Sequence, residues 1–394
     1  MWGNLRQNII DQPDKMFYMI GQQDNYHNCY CETCKRAYAK YGVGGTFLRM
    51  VNRLADEAKK LIDEHQGGRE HYIVMFAYHQ TEVPPVKVVD NKIVPIDETC
   101  IARDNVAIRI APIRTGILYS HVDPKINSAG TTAFVGWRVC CKKYTIWDYG
   151  SDFHAYVAPY PHWDVIGKNL RFYRDYGVVD VLTQVPAHTI GTEFNALKLY
   201  LRAQLMWNVD QDAKALTDDF IDKYYGSAGV KIHEYLELLK KHYAYLAKEH
   251  SYIGDINKIV LTSAGYWPFS LLKQMEKIFT EAFELVAKNE SGERRAILEK
   301  RLRQESLFYR FMMFDAHKFQ FTYEEQYENV YSFERDAKEA GFIAWRNGWK
   351  IGVGHLDQLI EAHKERLEIM KLANEVSSAE NNPLKDYKYM KEWD

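Results

Sequence analysis

The sequence predicts an α/β fold: a (β/α)8 TIM barrel of which only the later strands are present, followed by an all-α helical domain. Three observations carry this. Short apolar runs rich in β-formers alternate with amphipathic helical segments through the first half. The polar ends of those runs recur at nearly constant spacing. After Trp207 the pattern changes to almost continuous helix.

The first strand candidate, Phe17–Gly21, is an apolar run that stops abruptly at Gln22-Gln23-Asp24-Asn25. Tyr72–Tyr78, Val106–Ile110, Tyr144–Tyr149 and Val178–Gln184 are the others. Between them lie helical patterns: Thr46–His65, with Leu48, Val51, Leu54, Ala55, Ala58, Leu61 and Ile62 on one face, then Thr131–Val139 and Val165–Tyr176. Strands separated by helices imply right-handed parallel crossovers. The strand ends fall near Asp24, His79, Pro112, Asp148 and Gln184, and from His79 onward the steps are 33, 36 and 36 residues. A barrel averages ~31 residues per unit. Five strands stand where a closed barrel needs eight, so the chain reads as a barrel lacking its first strands or as an open α/β array.

Glu193–Trp207 is strongly amphipathic through Leu197, Leu201 and Leu205. From Asp212 to about Ala373 the 3.6-residue period persists with charged outer faces, as in Ala228–Lys248, Pro268–Lys288 and Arg294–Lys318. Breaks are expected at Gly226, Gly254, Gly265, Gly292, Gly341 and Gly352. The expected domains are a (β/α) barrel portion at 1–210, a helical bundle at 211–374 and an irregular polar tail at 375–394.

Composition narrows the function. The 394 residues are 46% hydrophobic and 26% charged, ordinary for a globular protein, with net charge −2 and no basic block. That removes the electrostatic footprint of a nucleic-acid binder. No apolar run approaches the ~20 residues that span a bilayer, and MWGNLRQNII lacks the cationic and apolar regions of a signal peptide. Aromatic residues reach 14%, with 28 Tyr, 18 Phe and 9 Trp. They fill a core, and flat rings also stack on the C–H faces of sugars. Six cysteines are too few for a disulfide scaffold, and Cys140-Cys141 on a strand would point to opposite faces.

Several residues carry candidate chemistry. Asp24 sits where a strand-end carboxylate can act as general acid, base or electrostatic stabiliser, or simply cap a helix. In Trp147-Asp148-Tyr149 strand alternation separates the acid from the two rings. Relaxation beyond the last paired residue would let all three reach a cleft. Cys29, Cys31 and Cys34, with His27 upstream, offer four soft ligands for a structural zinc, or serve as thiols holding the loop. No other cofactor is expected. Tyr78, His79 and Arg109 fall at further strand ends, and Arg109 can bind a carboxylate. Gln184, His188 and Glu193 cluster around the last strand, although Glu193 also suits the first turn of a helix. Trp137, Tyr160 and Trp163 are packing residues or sugar-stacking ones. There is no P-loop, no G-x-G-x-x-G and no H-E-x-x-H.

The ordered strings MIGQQDN with C-x-C-x2-C, FAYHQTEVPPV, VAIRIAPI, IWDYGSDFHAYVAPYPHWDVIGKNLRFYRDYGV and FNALKLYLRAQLMWNVDQDAKALTDDFIDKYYG resemble one bacterial family over residues 1 to about 250. That family is known as a domain of unknown function from glycan-degrading gene clusters. It is similar to the α-glucuronidase and β-hexosaminidase type of TIM-barrel glycoside hydrolase. The resemblance implies a barrel with an appended helical domain acting on a poly- or oligosaccharide, and an exported, periplasmic or extracellular setting. It places the acid/base at the end of the fourth barrel strand, which is Asp24 in this sequence. Hexosaminidase-like relatives have two adjacent acids there. Gln23 and Asn25 flank Asp24 instead, which makes Asp148 the second acid. Asn25, Tyr78, His79, Arg109, Trp147, Tyr149, Gln184 and Glu193 would then line the pocket. The rival readings are a non-catalytic carbohydrate-binding protein on a degenerate barrel, a metal-dependent hydrolase built on His27 and the cysteines, and a helical interaction module at residues 212–373.

Overall fold

The computed structural model describes residues 1–186, 194–250, 263–346 and 355–378. The fold is mixed α/β with a helical region behind it. Helix α1 (Trp2–Asp11) precedes β1 (Phe17–Ile20), α2 (Glu32–His65) and β2 (Tyr72–Ala77). A hairpin of β3 (Val86–Val89) and β4 (Lys92–Pro95) leads to β5 (Val106–Ile110), α3 (Ser128–Cys140), β6 (Tyr144–Tyr149), α4 (Ile166–Asp175) and β7 (Val178–Gln184). The hairpin turns at Asp90 and Asn91, both at positive φ, as a two-residue primed turn requires.

The main sheet has five strands in the order β1-β2-β5-β6-β7, and every pair is parallel. Spatial order equals chain order. Crossovers of one hand then put every connecting helix on one face, which is barrel-type winding and not the doubly wound kind with a switch point. Leu48, Val51, Ala55, Ala58 and Ile62 of α2 share one core with Ile73, Met75, Ile108 and Ile146 of the strands and Phe134 and Leu170 of α3 and α4. The opposite face carries Tyr72, Val74 and Ala107, with Phe17 against them. Among the described residues the sheet stays open along β1 and β7, so the eight-stranded closure of a full barrel is not formed there.

Helix α2 begins well before the expected Thr46. Gly42, at φ 69°, interrupts it. Its first turns press on the loop after β2: a Cβ on Gly44 would lie 2.5 Å from the Val83 carbonyl oxygen and 3.0 Å from that of Thr81. Gly44→Ala must push that backbone aside. Overpacking of this kind costs about 1–3 kcal/mol, measurable as a lower urea midpoint.

The helical region runs through α5 (Asn195–Trp207), α6 (Ala213–Tyr225), α7 (Gly229–His250), α8 (Phe269–Asn289), α9 (Gly292–Asp315), α10 (Tyr323–Ala340) and α11 (Leu356–Ser378). Gly226, Gly292 and Gly341 break it where expected, at positive φ, while Gly254 and Gly352 lie outside the described residues. Residues 375–378, expected to be irregular, continue α11. The region is held to the sheet layer by a buried polar contact. Tyr243 of α7 donates to the Pro159 carbonyl in the loop after β6 at 2.8 Å, and within the helical region Glu305 accepts the Phe194 amide at 2.6 Å and the Tyr225 hydroxyl at 2.7 Å. No described helix is long and apolar enough to cross a membrane.

Candidate active site at the strand ends

The C-terminal ends of β1 and β2 are laced together by amides. Gln22 Nε2 donates to the Tyr78 carbonyl at 2.7 Å, and Gln80 Nε2 to the Asn25 carbonyl at 2.9 Å. Asn28 donates to the Gln80 side chain. The polar run that ends the first strand is therefore a scaffold for the loop carrying Asp24. His79 lies against that loop. Its Nε2 is 3.2 Å from Asp24 Oδ1 and its Nδ1 3.0 Å from the Tyr26 hydroxyl. The His79 backbone has φ 52°, a conformation that a non-glycine residue adopts only where its surroundings impose it. Tyr78 is pushed up to about 12, by burial first and then by the charge and hydrogen bonding of Asp24.

Glu82 completes this group and was not singled out among the candidates. It follows the short 3₁₀ turn His79–Thr81 and is buried, at 8% exposure. Trp137 Nε1 donates to its carbonyl at 2.9 Å, and Thr81 Oγ1 donates to the Phe76 carbonyl at 2.7 Å, so its backbone is fixed from two sides. Arg114 Nε stands 3.6 Å from its carboxylate. Burial raises the Glu82 carboxyl above its ordinary range, and Arg114 and His79 offset that only in part. Tyr149, at the end of β6, faces the same group. Its hydroxyl is pushed up by burial and then by the negative charge of Tyr78, Asp24, Asp148 and Glu82. The signal for Glu82 in the sequence was an acid in a strand-end motif, FAYHQTE. Its burial depends on α2, α3 and Arg114, which sequence reasoning had no means to place.

Asp148 goes elsewhere. β6 and β7 stay in register through Asp148↔Thr183 and Tyr149↔Gln184, so the alternation does not relax before Tyr149. Asp148 is directed to the helix side, where Arg202 of α5 binds it at 3.0 Å. His121 Nε2 lies 3.9 Å away, and His162 Nε2 accepts from Arg202 at 2.6 Å. Burial first, and then Arg202, lower His162 well below the ordinary value, so it stays neutral. The cavity lined by these groups is about 10 Å³, room for about one water. Asp24 and Asp148, expected to share one mouth, thus take different partners, His79 for the first and Arg202 for the second, while Tyr149 also lines the Asp148 cavity.

Of the other expected lining residues, Arg109 sits within β5 and binds Thr145 Oγ1 at 2.8 Å and the Asp180 carboxylate, a cross-strand ion pair inside the sheet. Trp147 donates to Gln184 Oε1 at 2.9 Å, with Phe76 5.6 Å from its ring. Asn25 turns its loop by accepting the His27 amide at 2.8 Å. Glu193 and His188 lie outside the described residues. Trp137, Tyr160 and Trp163 are buried.

The sulfur atoms of Cys29, Cys31 and Cys34 converge to within 4.8 Å of one another. The Cys34 amide and the two neighbouring thiols bring Cys31 down to about 7, and the same contacts with Cys31 and Cys29 push Cys34 up to about 11.

The family described as "Domain of unknown function (DUF4838)" matches residues 1–237. No curated protein matches the chain. Among solved structures the chain is similar to a "GH138 enzyme targeting pectin rhamnogalacturonan II", with 10% identity and a TM-score of 0.32. The match covers 98% of this chain and 64% of that one, a likeness too distant to carry an argument.

Proposed function

The chain belongs to the DUF4838 family, a domain of unknown function, and from that premise we propose that it is a glycoside hydrolase-like protein of the (β/α)-barrel type. It cleaves a glycosidic bond in a poly- or oligosaccharide by carboxylate chemistry. One observation carries the reading: on the loops after adjacent parallel strands, Asp24 stands 3.2 Å from His79, and the buried Glu82, three residues beyond His79, lies within electrostatic reach of His79 and Tyr149. Catalytic groups at the C-terminal ends of barrel strands are the general arrangement of that fold.

The two acids have unlike surroundings, and that divides their work. Glu82 is desolvated, so it holds its proton to higher pH and donates it to the leaving oxygen. Asp24, with its side chain 56% exposed, faces solvent and serves as base or nucleophile at the anomeric carbon. In this reading the proton donor is Glu82, where the sequence reading had Asp24. Tyr26, Tyr78 and Tyr149 supply the rings against which a sugar packs. Asp148 acts at a distance: with Arg202 it holds the end of β6, and so Tyr149, in place.

The pH dependence tests the division. Activity should fall as pH rises through the raised Glu82 value, and that limb should vanish in Glu82→Gln. The sign for stability follows from linkage. A carboxyl raised in the folded state favours folding below its unfolded value, and that contribution is lost as pH rises through the folded one. Glu82→Gln should therefore match the wild type in acid and be more stable above that window, read by thermal melts across pH. A glycan and synthetic-glycoside screen decides the reaction, and the product anomer decides its course: ~5 Å between carboxyls retains configuration and about 6.5–9.5 Å inverts it. Binding without turnover across the screen would sink the hydrolase reading in favour of a carbohydrate-binding protein.

A further inference from the structure

The loop between β1 and α2 carries a second cluster that the acid site does not use. Cys29 and Cys31 are exposed and Cys34 is half-buried, and all three are free thiols. Cys100, Cys140 and Cys141 behave differently: they are buried, as a small apolar side chain should be. Burial does not explain three thiols gathered at a surface loop. Their Sγ atoms nevertheless lie within 4.8 Å of one another. Sulfurs on a tetrahedral zinc with ~2.3 Å bonds stand about 3.8 Å apart, so a small contraction brings these three into a ligand set. The backbone favours it: Cys31 is the N-cap of α2, Cys34 lies in its first turn, and the Cys31 carbonyl accepts the Lys35 amide at 3.0 Å. Two of the thiols thus sit at the start of α2, ahead of its interruption at Gly42, and Cys29 two residues before its N-cap.

We propose that Cys29, Cys31 and Cys34 bind one zinc ion as thiolates, with water in the fourth position, and that the ion ties the loop after β1 to the start of α2. Three thiols release three protons to solvent as they bind, so affinity falls with falling pH. His27 is not among the converging atoms and is not a ligand. The ion is structural in effect: it holds the segment Gln22–Asn28, including Asp24, between two anchored ends. The assignment is independent of the glycoside hydrolase reading, because its test measures metal and not turnover.

The test uses the full chain, stripped with chelator under reducing conditions, re-loaded with zinc alone, desalted and assayed for metal by mass spectrometry. One equivalent is expected in the wild type and in His27→Ala. Each of Cys29→Ser, Cys31→Ser and Cys34→Ser should bind at least tenfold more weakly, and the triple variant should retain none. Cobalt loaded into the wild type should give a thiolate charge-transfer band and the intense visible bands of a tetrahedral site. That readout stands even if a serine variant fails to fold. Failure of the wild type to bind zinc or cobalt overturns the proposal. So does a triple variant that keeps its metal, or a disulfide between two of these cysteines that zinc does not prevent. Loss of the metal in His27→Ala overturns the three-thiolate assignment.

Discussion

Asp24→Asn lowers kcat/KM on a cleaved glycoside by about 10²–10⁴-fold, the usual span for removing a general acid–base group, with the fold unchanged. The fold is spared because Asp24 is solvent-facing and contributes little to packing; its partners are His79, at 3.2 Å, and Tyr78. Glu82→Gln gives a loss of similar size for a different reason, since the amide cannot yield a proton. Leaving groups of low pKa separate the two. An activated aryl glycoside needs no protonation, so Glu82→Gln should recover most of its rate on that substrate and Asp24→Asn should not. Steady-state kinetics on paired natural and aryl substrates, with circular dichroism as the folding control, checks this. Unchanged rates in both variants would remove these residues from the chemistry.

Arg202→Met, which removes the α5 partner of Asp148, should be strongly destabilising, costing about 3–5 kcal/mol. Asp148 and Arg202 are 9% and 6% exposed, and the small cavity around them gives too little room for solvent to replace the guanidinium. The variant strands a buried carboxylate beside the neutral His162. Asp148→Asn should also destabilise, and the double variant should be more stable than the sum of the single losses predicts. Denaturant melts of the four proteins give the coupling directly. A catalytic Asp148 would behave oppositely: Asp148→Asn would keep its stability and lose its activity.

The strands were legible because the central ones, β2, β5 and β6, are buried on both faces and so require apolar and aromatic runs, while β7 keeps such a run although Val179 and Leu182 stay exposed. Val106–Ile110, Tyr144–Tyr149 and Val178–Gln184 begin and end where their composition places them. The long helices were legible from their period. The start of α2 was not, since its first turns are polar and bury Tyr41, Gly44 and Gly45 against a loop. The hairpin Val86–Pro95 carried a readable Asp-Asn turn that the strand–helix alternation obscured. Asp24 and His79 were legible as strand-end polar residues. Arg109 was misplaced because a strand end and a position one residue inside it look alike in sequence, while only the partner, Asp180, reveals the difference.

Local order in this chain is written in its residue pattern, because apolar periodicity and turn chemistry act over a few neighbours. It was enough to yield five parallel strands, a helical second half and a polar rim at the strand ends. Which acids keep company there depends on distant segments. α2 and α3 bury Glu82, α5 brings Arg202 to Asp148, and both effects scale with desolvation and charge separation in space, quantities that spacing along the chain does not encode.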